Sequence, residues 1–381
     1  MAKNSPTFDI DAFLGIHNRE QSRRLPKGAL TKADNVDVDD AAGLILRTGY
    51  NSSLPLTNVT SAFSTQDERR SFVVSDGNLL LIKSDLSFET LATGITSDYI
   101  HWLEVADTII MSDGLIISPD NQVSEWRIPR PSPPNVTITS GNLRAGQYQI
   151  VVTNVDETGR EGGASDIVTV NVENGSAIVV DSTAARIYAT DVNGSVFYYH
   201  ASTTIDATIN NTSPLDDAQL KGYAAPENTK HLAYFENKVF TAELDDGQST
   251  VWFSQPYWHN LFDLQNDFII IPGRVTCLAA VPQGLIIGTE DEIHVYTPEE
   301  VLYRLADYGM PSGKAYTIDD KGIIYLHTNQ GLCTFPEFTN HTENKVSLPP
   351  GSVAHVDLIE QGGMRKIVVL TDANGVADNP I

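Results

Sequence analysis

Between Leu232 and Thr297 the chain repeats one short phrase, a few apolar or β-branched residues followed by a turn. The runs are Leu232 to Phe235, Val239 to Thr241, Val251 to Ser254, Phe268 to Ile271, Cys277 to Val281, Leu285 to Gly288 and Ile293 to Tyr296. Asp245-Asp246-Gly247, Pro272-Gly273 and Pro282-Gln283-Gly284 separate several of them. Runs this short, rich in branched and aromatic residues, read as consecutive antiparallel strands and are too often punctuated for helices. A four-stranded unit of this size buries little by itself and needs neighbours of its own kind. The fold class expected is therefore all-β, a β-propeller-like array of about five or six small blades.

The flanks carry the same phrase. In 51–130, Ser75-Asp76-Gly77-Asn78 separates Phe72–Val74 from Leu79–Ile82, and Ser112-Asp113-Gly114 separates Thr108–Met111 from Leu115–Ile117. A repeat at about forty residues suits one blade. Residues 314–348 supply another unit, turning at Asp319-Asp320-Lys321-Gly322 and Thr328-Asn329-Gln330-Gly331, and Val353–Ile359 with Lys366–Leu370 a last hairpin. In 1–50, Asn35–Asp39 alternates as a half-exposed strand, and Gly43–Tyr50 is its partner across a turn at Asp40–Gly43. These strands are expected to pair with the last sheet, close the ring and remove its free edges. One helical turn is expected at Ala29–Ala33. A helix is expected over Pro298–Leu305, where proline and two glutamates fit the first turn.

Pro129-Arg130-Pro131-Ser132-Pro133-Pro134 favours extended polyproline geometry and marks a boundary. Strand signals then recur at short intervals (Gln147–Thr153, Ile167–Val172, Ala177–Val180, Ala185–Thr190, Val196–Tyr199). They are the pattern of an inserted sandwich of immunoglobulin or fibronectin III type. The organisation expected is an N-terminal arm with the first strands (1–50), blades (51–130), the inserted domain (131–226) and further blades (227–381).

With 381 residues the chain can bury a core without disulfides or metal. Cys277 and Cys333 lie inside apolar runs and are expected as core thiols. The opening MAKNSPTFDI has no apolar core of a signal peptide, and no run is long enough to span a membrane, so cytoplasmic synthesis is the expectation. The N-x-S/T triplets, such as those at Asn135, Asn174 and Asn193, read as turn composition. The formal charge is −24, from 49 acidic and 25 basic residues, which argues against general affinity for nucleic acid. Solubility is one reading of that charge. An acidic wall past which DNA slides without sticking is the other. The cluster Asp34, Asp37, Asp39 and Asp40 lacks the glycine and distant glutamate of a calcium loop and is expected as a solvated strand face.

Nothing in the chain has the spacing of a metal-ligand pair, a phosphate loop or a nucleophile elbow. The nine histidines are scattered, and no catalytic residue, cofactor or metal ligand is assigned. Sialidase-type Asp boxes and repeated Trp-Asp dipeptides are also missing. The feature left over is aromatic: Trp252, Phe253, Tyr257, Trp258 and Phe262 gather around Pro256. Trp252 and Phe253 are expected in a blade core. Tyr257 and Trp258 are either core or a partner-docking surface at the rim.

Several of these segments resemble tailed-bacteriophage virion proteins. At the N-terminus these are Leu25-Pro26, Ala33, Asn35-Val36-Asp37, Gly43 and Arg47-Thr48-Gly49. The segment SPPNVTITSGNLRAGQYQIVVTNVDETGREGGASDIVTV is similar to the fibronectin-type insertion of such proteins. VWFSQPYWHNLF with NDFIIIPGRVTCLAAVPQGLIIGTEDEIHVYT is similar to their blades. The resemblance implies a non-enzymatic structural component of the virion, a homo-oligomeric ring in the head-to-tail or tail hub and nozzle region. It would dock to adaptor, portal or other tail proteins and to tail fibres, with DNA passing through without specific binding and no membrane involved. The alternative is a carbohydrate-binding or carbohydrate-cleaving propeller of a fibre or depolymerase.

Overall fold

The structure is a computed structural model and describes residues 13–38, 43–47, 54–97, 99–207, 213–245, 247–343, 345–361 and 364–372. The chain forms two compact units, one of Leu56–Pro272 and one of Met1–Pro55 with Gly273–Ile381.

In the first unit three small antiparallel sheets follow one another. The first blade takes its strands from Val59–Ser64, Ser71–Ser75, Asn78–Ile82 and Phe88–Thr93, each paired with the next. The second takes Trp102–Val105, Thr108–Met111, Leu115–Ile117 and Val123–Glu125. The third runs from His231–Phe235 through Lys238–Asp245, Gln248–Gln255 and Trp258–Phe262, and Phe268–Pro272 returns to pair with Gln248–Gln255.

These sheets stack face to face, and the second shows why the apolar runs are continuous and not alternating. Ile109, Met111 and Ile117 pack on Phe72, Val74 and Leu79 of the first blade. Ile110 and Ile116 share a core with Leu232, Val239 and Phe262 of the third. A strand buried on both faces needs apolar residues at successive positions. The third blade therefore packs on the second although about a hundred residues separate them in sequence, enough for one small β domain.

Those residues form a separate two-sheet sandwich. Asn135–Leu143 pairs with Ser176–Asp181, which also pairs with Thr204–Ile205. Opposite them, Gly146–Val155 is flanked by Glu161–Ala164, Val168–Val172 and Arg186–Thr190, with Phe197–His200 outside the last. Tyr148, Ile150, Val152 and Ile187 of one sheet meet Ile178, Val180 and Ile205 of the other.

The second unit holds the fourth blade (Val275–Val281, Gly284–Thr289, Ile293–Tyr296, Leu302–Ala306) and the fifth (Tyr316–Ile318, Ile324–Thr328, Gly331–Phe335, Thr339–Asn340). Their shared core contains Cys277, Ala279, Ile286, Val295, Leu326, Cys333 and Phe335. The all-β class built from small propeller-like blades, with a sandwich lying between two of them in sequence, is what the structure has.

Four local expectations fail. Leu302–Ala306 is a strand on the edge of the fourth blade and not part of a helix. Thr297 accepts the Glu300 N–H and donates to the Val301 carbonyl, and Glu300 at φ 62° turns the chain back. Sheet pairing outweighs the helical first-turn signal of proline and glutamate. Ala29–Leu30 is likewise extended and pairs in parallel with Gly15–Ile16, after Gly28 at φ 94° has broken any helical entry.

The N-terminal strands do not extend the last sheet. Among the described residues Val36–Val38 and Leu44–Leu46 form one two-stranded sheet, Ala354–Gln361 and Met364–Thr371 another. Lys366 Nζ lies 3.7 Å from Asp37 Oδ1, a contact between the two. Asp37 is consequently no solvated face residue: its side chain is 13% exposed and also pairs with Arg47 at 3.1 Å. The turn expected at Asp40–Gly43 falls on positions of which only Gly43 is among the described residues.

Candidate functional site

The aromatic stretch divides cleanly. Phe262 is 1% exposed and meets the Trp126 ring edge-on at 5.5 Å between centroids. Trp252 packs against Phe268 at 5.2 Å, and Phe253 against Phe240 at 5.3 Å with Lys238 Nζ 4.6 Å above its ring. Both belong to the third blade, where each is half-buried, Trp252 packing against the edge of the core expected for them. Trp258 is half-buried at the start of its strand, whereas Tyr257 is 73% exposed.

Strand pairing explains the difference. Gln255 and Trp258 are opposite each other in the hairpin, leaving Pro256 and Tyr257 as its two-residue turn. Proline sets the first position, and the second must take positive φ, a place that glycine or asparagine fills at least strain. Tyr257 occupies it at φ 65°. Its N–H donates to the Asn237 carbonyl at 3.0 Å, tying this turn to the neighbouring one at Glu236 and Asn237, both of positive φ. A bulky residue held there stores about 1–3 kcal/mol of backbone strain.

The surroundings are polar. Gln255 Nε2 donates to the Asp267 carboxylate, and the Tyr223 hydroxyl donates to Asp263 at 2.7 Å. Burial, then the Asp263 carboxylate, push the Tyr223 hydroxyl up to about 12. Burial also raises Asp267, with the Asp263 charge adding to it. Asp263 is itself subject to burial, yet hydrogen bonds from Asn266, Tyr223 and the Gln265 amide outweigh it and hold the carboxyl below its ordinary range. His259 presents its ring to the Tyr234 edge at 5.5 Å, and burial pushes it below the usual imidazole value.

Behind this turn the sandwich is fastened to the second and third blades. Arg160 donates to the Glu125 carbonyl at 2.6 Å and to Ser124 Oγ at 3.2 Å, and pairs with Asp156 at 2.6 Å. Asn260 of the third blade donates to the Glu161 carbonyl at 3.1 Å, and Asn154 to the Pro129 carbonyl at 2.8 Å. Glu161, with its side chain 9% exposed, accepts from Thr153, Arg186 and the Tyr188 hydroxyl. The proline-rich stretch alone would leave the module free to swing, but these bonds hold it in place. Sequence reasoning missed this joint because its residues are an ordinary Asp-x-Thr-Gly-Arg-Glu turn until their partners across the chain are known.

Part of the acidity also finds a local use. Asp67, Asp85, Asp156, Asp263 and Asp319 each accept the backbone N–H two residues on, at 3.1, 3.0, 3.0, 3.1 and 2.9 Å. Such carboxylates pin β-turns, a role that neither reading of the net charge had supplied. Among the described residues no group of three or more His, Cys, Asp and Glu side chains is placed to hold a metal ion. No helix among them is long and apolar enough to cross a membrane.

No family model matches the chain, and no curated protein matches it. Solved structures similar to it are propeller proteins and others at low identity. The Dos1 propeller aligns at TM-score 0.37 and 7% identity, covering 88% of this chain and 78% of its own. Virginiamycin B lyase from Staphylococcus aureus aligns at 0.34 and 10%, covering 83% and 92%. The extracellular domain of a hybrid two-component system, BT4673 from B. thetaiotaomicron, aligns at 0.32 and 14% over 81% of this chain, which spans 34% of that one. At these scores none of them carries a function to this protein.

Proposed function

We propose that the protein is a non-enzymatic structural component of a tailed-phage virion. In this reading copies of the chain form a ring in the head-to-tail or tail hub and nozzle region around the DNA exit channel. The ring docks to adaptor, portal or other tail proteins, with tail fibres as a further partner, and DNA passes through without specific binding. The inserted sandwich is then a fibronectin III-type module, carried as a fixed outwork of the blades.

The observation that carries the reading is the Pro256-Tyr257 turn. A tyrosine 73% exposed, at positive φ, next to the half-buried Trp258, fits a knob that enters a partner. The Arg160 joint supports it, since a rigid module suits a part that works by shape. The net charge of −24 is compatible with a non-adhesive channel wall.

Mass measurement of the purified protein, with and without Tyr257→Ser, tests the docking role. The reading expects a discrete ring-sized species, alone or with a partner ring, that the variant weakens. A monomer that binds a glycan through Tyr257, or releases reducing sugar, would replace it with the carbohydrate-propeller alternative.

A further inference from the structure

The stretch 345–353 links two parts of its unit, the N-terminal strands and the last hairpin, which also meet at Asp37 and Lys366. Asn18 N–H donates to the Lys345 carbonyl at 3.0 Å, and the Asn18 amide exchanges hydrogen bonds with Ser347 at 2.6 and 3.0 Å. At the other end Ser312 bonds Ser352 and Ala354 through the backbone at 2.9 and 2.8 Å, which seats the last hairpin beside the fifth blade. Whatever holds this stretch in place therefore bears on both the N-terminal strands and the last hairpin.

Two titratable groups hold it. His327 is 0% exposed in the middle of the fifth blade, and its Nε2 lies 3.3 Å from the Pro350 carbonyl. A carbonyl can only accept, so Nε2 carries the proton and Nδ1 is the bare nitrogen of a neutral ring. Nδ1 is buried and has no hydrogen-bond partner. On the other side the Asp372 carboxylate accepts from the Ser352 N–H at 2.7 Å, the Val353 N–H at 3.0 Å and the Ser352 hydroxyl. Oδ1 takes both amides and Oδ2 the hydroxyl, so the ionised acid accepts all three, each as a charge-assisted bond.

We propose that 345–353 is an acid-sensitive latch, closed while His327 is neutral and Asp372 ionised, and opened when both take up a proton. A proton on Nδ1 would put a buried cation where no acceptor waits. A proton on Asp372 Oδ2 takes the acceptor from the Ser352 hydroxyl and leaves the two amides a neutral, weaker one. Both changes act in the same direction on the same stretch, and neither depends on the phage reading.

Other titratable groups on His327's strand and the strands that contact it are Tyr316, Tyr325, Cys333, His355, Asp357 and Glu360, with Lys314 just before Tyr316 and Glu343 and Lys345 on the stretch leading into the latch. Burial, then Lys314, lower His355, while Asp357 opposes them. Burial lowers His327 against the pull of the Pro350 and Pro349 carbonyls. Hydrogen bonds from Ser352, then the Val353 amide, lower Asp372. The imidazole therefore sets the upper edge of the transition, below its ordinary 6.5, and the carboxylate completes it at lower pH.

Hydrogen exchange of the full chain at about pH 7.5 and about pH 3, the lower value chosen so that Asp372 as well as His327 takes up its proton, corrected for intrinsic rates, tests the latch. The expected result is a fall of about tenfold or more in protection at Ser352 and Val353, with Gly284–Thr289 unchanged. His327→Gln, which keeps a donor for Pro350 and cannot take a charge, should flatten that pH step. Asp372→Asn, at an exposed position, should lower protection at Ser352 and Val353 at neutral pH, because the neutral amide is the weaker acceptor. Equal protection at both pH values in the wild type, or an unchanged step in His327→Gln with full protection in Asp372→Asn, would overturn the proposal.

Discussion

The Tyr257 amide is fixed to the Asn237 carbonyl at 3.0 Å, so two adjacent turns of the third blade are locked together while the tyrosine ring stays in solvent. The strain of the positive φ is carried by the fold, whereas the ring adds little packing to it.

Tyr257→Gly should therefore separate stability from assembly. Glycine relieves the positive φ, and the melting or denaturant midpoint should rise by the equivalent of about 1 kcal/mol. The same variant should lose ring formation or partner binding. A variant that falls in stability would show that the ring is a packing element and not a knob.

Arg160→Ala should loosen the sandwich from the blades. The ion pair with Asp156 is largely shielded, at 23% and 12% side-chain exposure, and Ser124 and the Glu125 carbonyl lose their donor with it. A loss of about 2–3 kcal/mol is expected. Scanning calorimetry should show one transition splitting into two as the module melts by itself.

Asp113 gives the opposite sign. Burial raises its carboxyl, and the Leu115 N–H at 3.4 Å is weak compensation. A carboxyl raised in the fold contributes stability below its ordinary 3.8, and that contribution is lost as pH rises through the folded value. Asp113→Asn should be more stable than wild type at neutral pH. The gap in denaturant midpoint should close as pH falls through the raised value of the folded carboxyl.

The two thiols should be silent in the folded protein. Cys277 and Cys333 are both free and 0% exposed, and burial pushes Cys277 up to about 12. A thiol reagent at neutral pH should label neither until denaturant unfolds the fifth and fourth blades, and then both. Rapid labelling of the native protein would contradict their place in the core.

Much of the architecture could be read from residue order. Ile109-Ile110-Met111 and Leu285-Ile286-Ile287 are apolar at successive positions because both faces of their sheets are covered, and the Ser-Asp-Gly turns at 75–77 and 112–114 join corresponding strands of two blades. What could not be read is whatever depends on a distant partner. Leu302–Ala306 is extended because Ile293–Tyr296 offers it an edge, although Pro298 and Glu299 favour a helix start. The turn at Ala106-Asp107 has positive φ at both residues without a glycine to announce it. Of the site, the exposure of Tyr257 follows from Pro256 and a two-residue turn. Its tie to Asn237 and the Arg160 joint exist only once the chain has folded.

A reconstruction of the assembled particle at modest resolution tests the central claim most directly. The account predicts a closed ring of this chain around the DNA exit channel, with the Pro256-Tyr257 turn of each copy seated in a neighbour and the sandwich projecting at a fixed angle. Particles that lack the chain, or that carry it at a fibre tip with Tyr257 against a glycan, would contradict it.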